Sequence, residues 1–236
     1  MFELPIRPVW MMAGGGVCLL VAGLQFALAV DAFTPDEQPV GYVGQDEITN
    51  FNLKSGNEFL FRGQYEREYW SGNFFAYPAD GSGNVDTTAP RWDAAEEILL
   101  QNPDTGRFIA TMSTTGAGVP FRFANLSTAQ KTMLKDSPEL VNFLRGARTG
   151  EGSTYRKRLN TLGDVIHSRP YFVADSHNPT VFVGANDGML HAINAMTPAT
   201  GGLNGGGSER WAYVPSMLLS KMPALAANPY VHNYFV

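Results

Sequence analysis

The sequence predicts a mainly β protein assembled from four-stranded antiparallel units and interrupted by a short helical insertion. Three observations carry this expectation. The 25 glycines and 15 prolines among 236 residues favour turns and disfavour a helical bundle. Between Asn57 and Tyr65, Phe59, Phe61, Gly63 and Tyr65 alternate with Glu58, Leu60, Arg62 and Gln64, the period of a strand with one aromatic face. Between Leu162 and Val214, short apolar runs separated by turn signals make four strands in about fifty residues, the size of one β-propeller blade.

Taken in order, the chain opens with an apolar run, Met11 to Val30, that follows Arg7 and is interrupted only by Gln25. Ala27 and Ala29 form the A-x-A pattern that a signal peptidase requires, and three consecutive glycines from Gly14 weaken a spanning helix. Residues 1–30 are therefore expected to be a cleaved export signal, with a membrane anchor as the alternative. Cys18, the single cysteine, lies in this run, so no intramolecular disulfide and no paired-thiolate metal site can form. Residues 31–56, polar and carrying Pro35 and Pro39, read as a linker.

The segment 57–113 is expected to be blade-like. Glu58–Tyr65 and Asn73–Tyr77 form its first strands, Asp80 to Asn84 a loop, and Trp92 and Arg107–Met112 two further strands. A helical insertion follows over 123–147. Ser127 and Gln130 have capping-box spacing, in which hydroxyl and amide satisfy each other's backbone N–H groups. Ser137-Pro138 marks a second helix start, with proline where a missing N–H costs nothing. Leu140, Phe143 and Leu144 share one face, Arg145 suits the C-terminal dipole, and Gly146 can end the helix left-handed. Thr149 to Asn160 is polar and basic and reads as an exposed connection. The second blade-like segment, 162–214, contains one or two strands over Asp164–Ser168 and Tyr171–Val173, broken by Pro170, then strands at Thr180–Gly184, Met189–Asn194 and Arg210–Val214, with a flexible glycine-rich loop over Thr200–Ser208 and a C-terminal segment at 215–236.

Asn186-Asp187-Gly188 could be a cation loop or a hairpin corner. A calcium loop needs oxygen ligands at alternating positions. Counting back from Gly188, those positions hold Asp187, Ala185 and Val183, and the last two offer no side-chain oxygen. Residues tolerant of positive φ between two strands favour the hairpin. His191 lies on a strand face with Met189 and Ile193 and reads as a packed or hydrogen-bonded imidazole, while His167, His177 and His232 are scattered. Trp70, Trp92 and Trp211 read as packing anchors of the blades. No nucleophile elbow, phosphate loop or zinc-protease motif is present, so no catalytic, cofactor-binding or metal residue is assigned. The formal net charge of −5 argues against a nucleic-acid partner.

The run from Val181 to Ala195, followed by Trp211, resembles the repeat of quinoprotein-like propellers: strand, D-G, an apolar strand ending A-I-N-A, a glycine turn and tryptophan. More specifically, YWSGNFFAYP at 69–78, Trp92-Asp93-Ala94, RFIATM, LRG at 144–146, LGDVIHSRPYFV at 162–173 and RWAYVPSMLLSKMPALAANPYVHNYFV at 210–236 resemble the PilC/PilY family of type IV pilus biogenesis and tip-associated adhesin proteins. The resemblance covers 57–236.

It implies a partial, incomplete quinoprotein-like propeller of about two four-stranded blades, because a closed ring needs at least four. It also implies a non-enzymatic, exported protein that supports pilus extension against retraction, attachment and twitching motility at the periplasm, outer membrane, cell surface or pilus tip. Expected partners are minor pilins and a host or abiotic surface, with membrane contact only through residues 1–30 if uncleaved. The family's calcium loop has no counterpart here, so no cofactor is expected. The chain reads as a fragment whose exposed blade edges favour aggregation. A quinoprotein dehydrogenase is the alternative, as is a generic binding propeller. The dehydrogenase would need a full ring, a carboxylate base and a calcium-bound quinone.

Overall fold

The computed structural model describes residues 43–48, 58–66, 69, 71–80, 82, 84–175, 177–196 and 205–230. The expected export signal with Cys18, most of the expected linker, Trp70, residues 200–204 of the glycine-rich stretch, His232 and the chain end at Phe235-Val236 lie outside them.

The described residues are mainly β and build two sheets. The first is a four-stranded antiparallel meander of β1 (Val43–Ile48), β2 (Glu58–Glu66), β3 (Ser71–Ala79) and β4 (Trp92–Asp93). The aromatic face expected of β2 is its core face: Phe61 is fully buried and packs 6.0 Å from the Phe74 ring and 5.7 Å from Trp92. Val43–Ile48 falls inside the stretch expected to be linker, yet it pairs with β2, with Glu47 opposite Phe61 in the register. Its two acidic residues disguise it in the sequence, because an edge strand tolerates charge that a central strand does not.

The chain then enters α1 (Ala94–Leu100), which the sequence pattern does not reveal. Asp93 accepts a hydrogen bond from the Ala95 N–H and caps it. The strand β5 (Ile109–Met112) forms a hairpin with β6 (Gly118–Pro120). Grouping Arg107–Met112 with the first four strands is therefore corrected: β5 belongs to the second sheet, where it lies parallel to β10. Parallel pairing across a hundred residues leaves no local trace.

Two short helices follow, α2 (Thr128–Met133) and α3 (Pro138–Leu144). The capping box forms as its spacing requires, Ser127 and Gln130 bonding reciprocally. Ser137 caps α3 through the Leu140 N–H at 3.0 Å, and Gly146 ends it at φ +114°.

The second sheet has six strands in the order β6-β5-β10-β9-β8-β7, with β7 (Tyr171–Val173), β8 (Thr180–Ala185), β9 (Met189–Asn194) and β10 (Glu209–Val214) forming the consecutive antiparallel meander that the turn spacing suggests. Asp164–Ser168 is not a strand. Its Asp164 instead accepts from the Asn186 N–H and side-chain amide, holding the segment across the end of the β8–β9 hairpin.

One face of this sheet is covered twice. Val181, Val183 and Ile193 pack with Phe61, Phe74 and Trp92 of the first sheet, while Met189, Ala212 and Val214 pack with Phe121, Val141 and Phe143 of the helical insertion and with Leu219 and Leu225 beyond β10. Trp92 thus anchors the core as expected. Gly205–Gly207, part of the stretch expected to be a flexible loop, is packed: the Gly207 N–H donates to the Asn194 carbonyl, and a Cβ on Gly206 would collide with Trp92.

Candidate interaction surface

The hairpin corner is where the site begins. Asn186–Gly188 makes the β8–β9 turn, with Gly188 at φ +83° and its N–H donating to the Ala185 carbonyl. Backbone geometry is only half of its role. The Asp187 carboxylate accepts from the Gly163 and Met189 N–H groups, each at 3.0 Å, and from His191 Nε2 at 3.1 Å. His191 Nδ1 donates to Glu209 Oε1 at 2.7 Å. Glu209 receives Arg107 in a two-pronged pair, Nη2 on Oε1 and Nε on Oε2, both at 2.7 Å. The remaining Arg107 prong, Nη1, donates to the Arg145 carbonyl at 2.8 Å.

The result is a buried chain of alternating charge, Asp187–His191–Glu209–Arg107, at the seam between the two hydrophobic clusters. Burial by itself opposes the charge on His191, but the Asp187 and Glu209 carboxylates outweigh it and raise the pKa to about 9. Burial likewise opposes the Glu209 charge, yet Arg107 and His191 bring it down to about 2. Asp187 is also held below its ordinary value, with His191 overcoming the cost of burial. The four side chains balance to zero charge.

With the His191 and Glu209 side chains enclosed and only Asp187 partly exposed, the chain acts as a brace. It ties the hairpin turn, β9, β10 and the segment around Gly163 together. Gln101 extends the brace by exchanging two hydrogen bonds with the Glu209 backbone.

The stretch expected to be an exposed connection is corrected in the same way. Arg156 and Arg158 are 7% and 5% exposed, and Asn160 is buried beside them. Arg156 donates to the Leu225 and Tyr69 carbonyls, and Arg158 to the Phe143 and Ala147 carbonyls and to Glu151. Arg145, read as a partner for the helix dipole, reaches the Phe121 and Pro103 carbonyls. Buried guanidiniums here bond to carbonyls of loops and helix ends.

The opposite face of the second sheet is open. Register aligns Tyr171, Phe182, Ala192 and Trp211 across β7, β8, β9 and β10, and aligns Leu190, Tyr213 and Ala110 one rung over. Tyr171 is 68% exposed, Phe108 62% and Trp211 36%. Small Ala192 lets the Phe182 and Trp211 rings meet at 5.7 Å. Trp211 is therefore a surface residue, in contrast to the packing anchor expected. A shallow apolar hollow of about 360 Å³ lies between Phe108, Leu190, Trp211 and Tyr213. This contiguous aromatic face is a candidate interaction surface.

Neither Trp211 nor Glu209 could be assigned to its face by counting. A β-bulge between them shifts the parity of β10, so residues two apart point to opposite sides. His167 and His177 do not join the ionic chain. Among the described residues no group of three or more His, Cys, Asp or Glu side chains is arranged to hold a metal ion, and no helix is long and apolar enough to cross a membrane.

Comparison with known proteins points in one direction. The chain is 27% identical over 75% of its length to the type IV pilus biogenesis factor PilY1 of Pseudomonas aeruginosa strain UCBPP-PA14, and 28% identical over 71% to that of strain PAK. It is 26% identical over 75% to a PilY1 homolog of Xylella fastidiosa. The matches span 18%, 17% and 15% of those proteins, so the chain corresponds to less than a fifth of each relative. No family model and no solved structure matches it.

Proposed function

Because the chain is a relative of the PilY1 family of type IV pilus biogenesis factors, we propose that it is an exported, non-catalytic part of the type IV pilus machinery that supports pilus extension, attachment and twitching motility. The observation that carries this reading is the shared relationship, over 71–75% of the chain, to pilus biogenesis factors from two bacterial genera. The structure supports it with an architecture suited to assembly. Two sheets are stacked face to face, a buried ionic brace holds the second one rigid, and its outer face is aromatic and bare.

In this reading the two sheets are successive blades of a quinoprotein-like propeller, and the bare face receives the next blade. Minor pilins are the proposed protein partners, and the periplasm, outer membrane or pilus tip the proposed location.

Deleting the gene and restoring it on a plasmid tests the reading. Sheared surface pili and the diameter of the twitching zone should fall together in the deletion strain and return on complementation. Normal piliation and normal twitching in the deletion strain would overturn it.

A further inference from the structure

A second concave feature lies away from the aromatic face. Between α3, the turn at Asn102–Asp104 and the loop after Gly146 there is a cleft of about 780 Å³, within the range of small-ligand sites. Its floor is set by Arg145, which is buried and tied to the Phe121 and Pro103 carbonyls, so the guanidinium that lines the cleft is already committed to the protein. Pro103 and Ala147 contribute apolar surface, and the Tyr155 ring is held by Phe143 at 4.7 Å.

What remains available is a set of neutral hydrogen-bonding groups beside the Glu139 and Asp104 carboxylates. Among the described residues, the Asn142 amide, the Thr149 and Thr154 hydroxyls and the Tyr155 hydroxyl have no protein partner, and Asn102 uses only its oxygen, to cap the N–H groups of Asp104 and Thr105. Glu139 accepts from Ser137 through one carboxylate oxygen and leaves the other to the cleft.

We propose that this cleft binds a neutral saccharide. Hydroxyls and carboxamides that both donate and accept match the alternating donors and acceptors of a sugar ring. The apolar strip of Pro103, Ala147 and Tyr155 suits the C–H face of the same ring. A cleft of this volume holds a mono- or disaccharide with solvent at its mouth. The Glu139 and Asp104 carboxylates outnumber the one cation among the described residues that line the cleft, Arg145, which is buried and tied to the Phe121 and Pro103 carbonyls, and so select against anionic sugars such as sialic acid. An extended peptide is the weaker fit, since the described lining belongs to a helix and loops and gives a peptide backbone no strand edge to pair with. The ligand class does not depend on the pilus assignment and is measured without it.

The full chain, applied to a printed array of neutral and sialylated oligosaccharides, should retain neutral glycans and pass over sialylated ones. Calorimetry with the tightest neutral glycan should show about five- to tenfold weaker binding for Asn142→Ala, the loss of about one hydrogen bond. Thr154→Val, which keeps the side chain's shape and removes only the hydroxyl, should behave alike, with an unchanged circular dichroism spectrum. Glu139→Gln should admit sialylated glycans. Failure to retain any neutral glycan, preference for sialylated glycans or for an arrayed peptide, or affinity untouched by both Asn142→Ala and Thr154→Val would each overturn the proposal.

Discussion

The two faces of the second sheet are built from the same strands and could hardly differ more. On β10, Glu209 points inward and is sealed in the ionic chain, while Trp211 points outward into solvent. On β9, His191 is fully enclosed and its neighbour Leu190 lines the open hollow. The ionic chain is thus set into an inner face that is otherwise apolar, while the outer face exposes aromatic surface that a one-sided sheet ordinarily keeps inside. That contrast is informative in both directions. Buried charge is tolerated because every group is paired, and the pairing links β9 to β10 and to Arg107 before β5. Exposed aromatic surface costs little to the sheet itself and is a sign of something that covers it.

The sharpest way to break the contrast is to remove the centre of the inner chain. Glu209→Ala leaves Arg107 with only the Arg145 carbonyl and His191 Nδ1 without an acceptor, both buried, and should destabilise the fold by about 3–5 kcal/mol. Glu209→Gln, which keeps an acceptor but loses the charge, should cost less. Urea denaturation of the full chain measures both. A loss below about 1 kcal/mol for Glu209→Ala would mean that the inner face is held by packing alone.

Titration probes the same chain more gently. His191 has a folded pKa raised to about 9, so its contribution is complete below the unfolded value of about 6.5 and disappears as pH rises through 9. Glu209 is depressed to about 2, so its contribution is complete above the unfolded carboxylate value and disappears as pH falls toward 2. Stability should therefore be flat near pH 5–6 and fall on either side. The alkaline limb amounts to about 3 kcal/mol and should be absent in His191→Gln. An alkaline limb that survives in His191→Gln would assign the effect to another group.

The inner face was hardly legible in the sequence, for physical reasons. What local chemistry dictates could be read: the Asn186–Gly188 turn from its tolerance of positive φ, the Ser127–Gln130 box from its spacing, and the helix stop at Gly146. The ionic chain could not, since Arg107 and Glu209 are 102 residues apart and isolated charges read as solvated. Arg156 and Arg158 misled in the same way, because a basic stretch looks like surface until the carbonyls it satisfies are known. The parallel pairing of β5 with β10 and the bulge that reverses the parity of β10 are likewise products of tertiary structure. His191 was the one available signal: an imidazole between Met189 and Ile193 on an inward-facing strand position needs partners, and partners for both nitrogens imply acids nearby.

The smallest expected effect sharpens the contrast from the other side. Trp211→Ser and Phe108→Ser alter the open face without touching the ionic chain or either hydrophobic cluster. Trp211→Ser chiefly removes the packing of the indole against the Phe182 ring, which takes place at the surface. Phe108→Ser should shift stability by no more than about 0.5 kcal/mol, as surface changes do, and Trp211→Ser, which loses the half-buried ring pair, by about 0.5–1.5 kcal/mol. Removing exposed aromatic area should at the same time raise the concentration at which the isolated chain stays monomeric in light scattering, since the uncovered face is the surface that drives self-association. The two readouts must separate for the contrast to hold. If Trp211→Ser destabilised the fold by about 2 kcal/mol or more, well beyond a surface effect, the outer face would be part of the core that stabilises this chain, and no partner would be needed to explain it.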